Sequence, residues 1–94
     1  MPIKYSITNQ GLDYPRIKRT EWEEDLALDE TDLAKVVLTS NTETESITTL
    51  YFEDSAAFER YRTANSAKLI RLHDMRTANS MLSTGVEEEV DTIP

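Results

Sequence analysis

Cysteine is absent from the 94-residue chain, which excludes disulfides, thiolate nucleophiles and cysteine-bound metals together. Glycine occurs only at Gly11 and Gly85, too sparse for a loop that cradles phosphate, and no serine stands in a nucleophile elbow. The one histidine, His73, precedes Asp74. Adjacent residues on a helix do not face each other, so the imidazole gains no orienting partner and reads as a solvated helix position. No run of about eighteen apolar residues is present to span a membrane, and the opening Met1-Pro2-Ile3-Lys4 lacks the apolar stretch of a signal peptide. These absences give the expectation of a cytoplasmic, non-enzymatic chain with no catalytic residue, no metal site and no cofactor.

Charge is plentiful and unevenly placed. The net charge is −8, yet residues 1–20 sum to +3, residues 21–54 to −10, residues 55–84 to +3 and residues 85–94 to −4. Residues 21–32 hold seven acids and no base, namely Glu21, Glu23, Glu24, Asp25, Asp29, Glu30 and Asp32. A calcium loop starting at Asp25 would need glycine at its sixth place, where Glu30 stands. The acids therefore read as a contact face for a basic protein partner. Arg60, Arg62, Lys68, Arg71 and Arg76 form a basic stretch, but a net acidic chain repels nucleic acid, so direct nucleic-acid binding is not the expectation. The converse reading, a DNA mimic occupying a DNA-binding enzyme, uses the acidic charge as it stands.

The elements follow from periodicity. Ile3, Tyr5 and Ile7 alternate with polar residues as on one face of a short strand, within an extended arm over residues 1–16. Residues 17–28 read as a strand carrying Trp22, Leu26 and Leu28, or as a helix opened by a Thr20/Glu23 capping box. Leu33 to Ser40 and Ser46 to Phe52 form two β-branched strands around a polar five-residue loop, a hairpin. Asp54 or Ser55 then caps a helix reaching Leu82. Ser83-Thr84-Gly85 stops it with Gly85 as a left-handed cap, and residues 86–94 form an acidic flexible tail.

That helix carries a duplicated word. Arg62-Thr63-Ala64-Asn65-Ser66 returns as Arg76-Thr77-Ala78-Asn79-Ser80 after fourteen residues, two heptads. Phe58, Tyr61, Asn65, Lys68, Leu72, Met75, Asn79 and Leu82 would then share a seam with Asn repeated at one heptad place. A buried Asn at such a place selects register and partner number, so Phe58, Tyr61, Asn65, Leu72, Met75, Asn79 and Leu82 are the expected homo-oligomer interface. Because Asn65 and Ser66 are poor helix-interior residues, a break into two helices near Asn65 is the alternative.

The passage Thr48-Thr49-Leu50-Tyr51-Phe52-Glu53-Asp54-Ser55-Ala56-Ala57-Phe58-Glu59-Arg60-Tyr61 resembles the strand-to-helix step of dimeric ferredoxin-like α+β barrel proteins, a family that includes small monooxygenases. The resemblance implies a small dimeric α+β barrel enzyme and assigns no individual site residue. Beyond it, no first helix and no strand after Leu82 are legible.

The fold expected from the residues is α+β, a small antiparallel meander over residues 17–53 beneath one long C-terminal amphipathic helix, in a single domain of residues 1–85. The function expected is a protein-interaction module acting through its acidic surface, as a phage-type inhibitor or modulator of a host protein. The alternatives are the DNA mimic, a structural or assembly subunit, and the α+β barrel enzyme.

Overall fold

The computed structural model describes residues 1–11, 28–42, 44–78 and 80–94. Its elements are β1 (Ile3–Gln10), β2 (Lys35–Asn41), β3 (Glu45–Phe52), α1 (Ser55–Ala64), α2 (Ser66–Ala78) and β4 (Leu82–Glu89). The four strands form one antiparallel sheet in the order β2-β3-β1-β4. The β2–β3 hairpin stands where the sequence places it, with a bulge between Leu38 and Ser40. Residues 3–10 do not lie beside the sheet as an arm: β1 is a central strand between β3 and β4. Both neighbours are antiparallel to β1, so β3 and β4 run parallel to each other, joined through the two helices as a split β-α-β unit.

Strand alternation decides what each face carries. Ile3, Tyr5, Ile7 and Asn9 on β1 stand opposite Phe52, Leu50, Thr48 and Ser46 on β3, and this face turns toward the helices. The core is Ile3, Leu50, Phe52, Ala57, Phe58 and Tyr61, with Tyr5, Ile7, Leu33 and Leu69 packed against it. Phe52 is completely buried at its centre, its ring 4.9 Å from that of Phe58 and 5.1 Å from that of Tyr61. Truncating such a ring to Ala costs about 3–5 kcal/mol.

The helical region departs from expectation in three ways. First, there is no single C-terminal helix; two helices precede a last strand. Asp54, in extended conformation, caps α1 by accepting the Ala57 N–H at 2.8 Å, the first of the two candidates read from the sequence. The helix then breaks at Asn65, the alternative weighed above. The Asn65 Nδ2 donates to the Tyr61 carbonyl at 3.0 Å, a side-chain bond that competes with the helical ladder. Second, α2 is not stopped by Gly85. The Ser80 N–H donates to the Thr77 carbonyl at 3.0 Å and the Met81 N–H to the Arg76 carbonyl at 2.9 Å. This pair of bonds is a Schellman motif, with Ser80 at the left-handed place (φ 59°) and Met81 buried beyond it. Third, Leu82 to Glu89 is not a helix end followed by a flexible tail. It is an edge strand paired with β1 along its whole length. Glu87, Glu88 and Glu89 lie on that edge, where like charges oppose pairing with a further strand, and Glu88 meets Lys4 at 3.5 Å.

The chain beyond β4 is also engaged. The Val90 N–H donates to the Pro2 carbonyl at 3.0 Å, and Lys35 Nζ donates to the Pro94 carbonyl at 2.6 Å, so residues 90–94 cross from β4 to the start of β2. Among the described residues no helix is long and apolar enough to cross a membrane.

Candidate functional site

A cavity of about 290 Å³ lies between the helices and the β1–β4 side of the sheet. It exists because β4 brings small groups to that face. In register with Asn9 and Ile7 of β1 stand Ser83 and Gly85, where two large apolar residues would have filled the space. Tyr5, Ile7, Leu50 and Gly85 line the sheet side, while Phe58, Tyr61, Leu69 and Leu72 line the helix side. Leu28 contributes from the segment that enters β2, and Arg62, His73, Arg76 and Ser83 complete the lining.

The lining is apolar with cations. Arg62 lies over the Phe58 ring, 5.4 Å from its centroid, and its Nη1 stands 3.3 Å from Glu59 Oε1, so the guanidinium is held across the rim. Arg76 is only 7% exposed and its Nη1 donates to Ser83 Oγ at 3.3 Å, tying α2 to β4 at the cavity's end. None of the described lining residues is acidic. Next to the cavity runs a buried polar row, since Asn9 pairs with both Ser46 and Ser83, and Thr48 pairs with Ile7. Asn9 Oδ1, Ser46 Oγ and Thr48 Oγ1 are buried without hydrogen-bond partners among the described residues, and a buried polar atom left unpaired costs about 1–3 kcal/mol.

The residues singled out in the sequence fall in several places. Glu21, Glu23, Glu24 and Asp25, the strand-or-helix reading of residues 17–28 but for Leu28, and the Thr20/Glu23 box all lie outside the described residues, as does Asn79. Of the remaining acids, Glu30 is exposed, and Asp32 pairs with Arg60 Nε at 3.0 Å. Asp29 accepts both the hydroxyl and the N–H of Thr31, at 2.5 and 3.0 Å, which holds its carboxyl below the usual aspartate range. The proposed seam is not one continuous exposed stripe: Phe58, Tyr61 and Leu72 are buried within the chain itself, and Met75 is half-buried. Asn65 is fully buried and bonded to Asp29, while Leu82 is exposed on β4. His73 sits at the cavity, exposed. Among the described residues no cluster of His, Asp and Glu could hold a metal ion.

Sequence reasoning missed Tyr5, Arg76, Ser83 and Gly85 as neighbours. The alternation Ile3, Tyr5, Ile7 was the available signal for Tyr5; none existed for Ser83 and Gly85, because β4 itself was not visible.

No protein-family model matches the chain, and no curated protein matches it by sequence. Solved structures do. A point variant of SnoaB, a cofactor-independent oxygenase from Streptomyces nogalater, superposes with a TM-score of 0.68 over 98% of this chain and 95% of that one, at 10% identity. The fold resembles that of SnoaB. The NE2512 protein of Nitrosomonas europaea, of unknown function, matches with a TM-score of 0.59 at 12% identity, covering 99% of this chain and 94% of that one. At these identities the likeness concerns the fold, which is similar to that of dimeric α+β barrel proteins. The likeness to SnoaB covers 98% of this chain, which includes the strand Leu82–Glu89 that the sequence did not reveal.

Proposed function

We propose that this chain is a small enzyme of the dimeric α+β barrel kind, which binds a compact, largely apolar and ionisable molecule in the helix–sheet cavity and oxygenates it without a cofactor. The observation that carries the reading is the cavity: apolar walls, cations at its margin and no acid among its described lining residues. Its volume of about 290 Å³ is roughly twice the ~150 Å³ that accepts benzene, so it suits about two fused rings. Positive groups beside an apolar wall favour an anion that forms there, because the poorly polarisable surroundings strengthen the attraction.

The reaction class is taken from SnoaB's described activity. When no cofactor supplies electrons, the substrate must supply them, which requires a C–H bond that ionises readily. In the balanced step an activated CH₂ group loses two hydrogens, one oxygen atom of O₂ becomes its carbonyl, and the other leaves with those hydrogens as water. The test is oxygen uptake with 2-tetralone, whose benzylic CH₂ is acidified by the adjacent ketone. Uptake above that of buffer, lost in a cavity-filling Leu69→Trp variant, is the expected result; binding without uptake would leave a ligand carrier and overturn the enzyme reading.

The inhibitory interaction module, with the DNA mimic as its variant, stands as a competing proposal on net charge. Of its described acids, Asp29 and Asp32 are engaged within the chain and Glu30 is exposed.

A further inference from the structure

Gly85 lies inside a strand, where glycine weakens pairing and side-chain packing and is kept when another group must approach the backbone closely. Its φ is not positive, so no left-handed conformation accounts for it. What accounts for it is Tyr5. A Cβ added at Gly85 would stand 2.0 Å from Tyr5 Oη, 2.5 Å from Cζ and 3.1 Å from Cε2. The phenol therefore lies over the Gly85 backbone, reaching across the sheet from β1, while its ring is 5.3 Å from that of Phe58. Tyr5, Gly85 and Phe58 all line the cavity.

We propose that the Tyr5–Gly85 contact is the size-determining wall of the cavity: the absent side chain at residue 85 stows the Tyr5 phenol against β4 and keeps room for a second ring. The inference rests on the cavity being a ligand site and names the residues that set which ligands it takes. Any side chain at residue 85 lifts the phenol. Phe58 and the core behind it are packed, and the cavity that Tyr5 lines lies open beside the ring.

The experiment compares phenol and 1-naphthol binding by calorimetry in the wild type, Gly85→Ala, Gly85→Ala/Tyr5→Phe and Gly85→Ala/Tyr5→Val. A change of one methylene in an apolar pocket shifts discrimination by about 10–200-fold. Gly85→Ala is expected to lose about tenfold or more in 1-naphthol affinity relative to phenol. Tyr5→Phe in the Gly85→Ala background restores little, because Cζ and Cε2 still clash, whereas Tyr5→Val restores naphthol binding. A Gly85→Ala protein with an unchanged naphthol-to-phenol ratio, or a Val double variant without restoration, overturns the wall. If the wild type binds neither probe, the ligand-site reading fails. The wall is then judged by the Tyr5 ring protons, whose shifts and contacts with Phe58 must change in Gly85→Ala; an unmoved ring overturns it.

Discussion

Asn65 and Asp29 hold each other by two hydrogen bonds: the Asp29 N–H donates to Asn65 Oδ1 at 2.7 Å, and Asn65 Nδ2 donates to the Asp29 carbonyl at 2.8 Å. The side-chain amide thereby serves the backbone as a neighbouring strand would, at the break between α1 and α2. Leu28, the residue just before Asp29, lines the cavity. Heptad reasoning made Asn65 a register-selecting interface residue. Here it bonds within its own chain. Asn65→Leu strands the Asp29 N–H and carbonyl beside an apolar group, so we expect a loss of about 2–4 kcal/mol in urea unfolding. An unchanged or raised midpoint would contradict the latch.

Ser80 offers a gain. A side-chain-bearing residue pays for the left-handed conformation that glycine adopts freely, and Ser80 occupies that place in the Schellman motif. Ser80→Gly should stabilise the protein by about 0.5–1 kcal/mol in denaturant unfolding. A loss of stability would mean that the serine hydroxyl matters more than the backbone.

Thr48 tests the polar row. Its hydroxyl is buried without a partner among the described residues, so the isosteric Thr48→Val removes an unsatisfied group and keeps the shape. Stability should stay level or rise by up to about 1 kcal/mol. A loss larger than that would show that the hydroxyl is satisfied in solution.

Of the seam the heptads named, Phe58, Tyr61 and Leu72 are already buried within the chain, whereas Leu82 is exposed. The outer face of the sheet exposes Leu82 (63%) and Val86 (57%), on the side of β4 opposite to Ser83 and Gly85. We expect the wild type to sediment as a dimer and Val86→Lys to shift it toward monomer. A wild type that remains monomeric well above micromolar concentration would rule the dimer out.

How far the sequence reveals this fold depends on what each strand faces. In β1 and β3 the inward residues include Ile3, Tyr5, Ile7, Leu50 and Phe52, and the alternation is plain. In β4 the inward residues are Ser83, Gly85 and Glu87, while the apolar Leu82 and Val86 point away. That strand has no apolar inner face because it borders a cavity, so the feature that creates the site also hides the strand. Gly85 then imitates a helix cap and the three glutamates imitate a tail. Of the seam read from the fourteen-residue repeat, Phe58, Tyr61, Asn65 and Leu72 are buried and Leu82 is exposed, and period alone cannot tell a chain's own sheet from a second copy. Helix, charge and capping rules narrowed the helix start to Asp54 or Ser55, and Asp54 is the cap, because a cap is a local device. The Asn65–Asp29 latch joins residues 36 apart and has no local signature.

The central claim is that the helix–sheet cavity is the working site. The most direct measurement is a titration of isotope-labelled protein with 1-naphthol, followed through the backbone amide resonances. The account predicts saturable shifts at Tyr5, Ile7, Leu72, Arg76, Ser83 and Gly85, all of which border the cavity. Shifts confined to the outer face around Leu82 and Val86, or to the acids Asp29, Glu30 and Asp32, would contradict it.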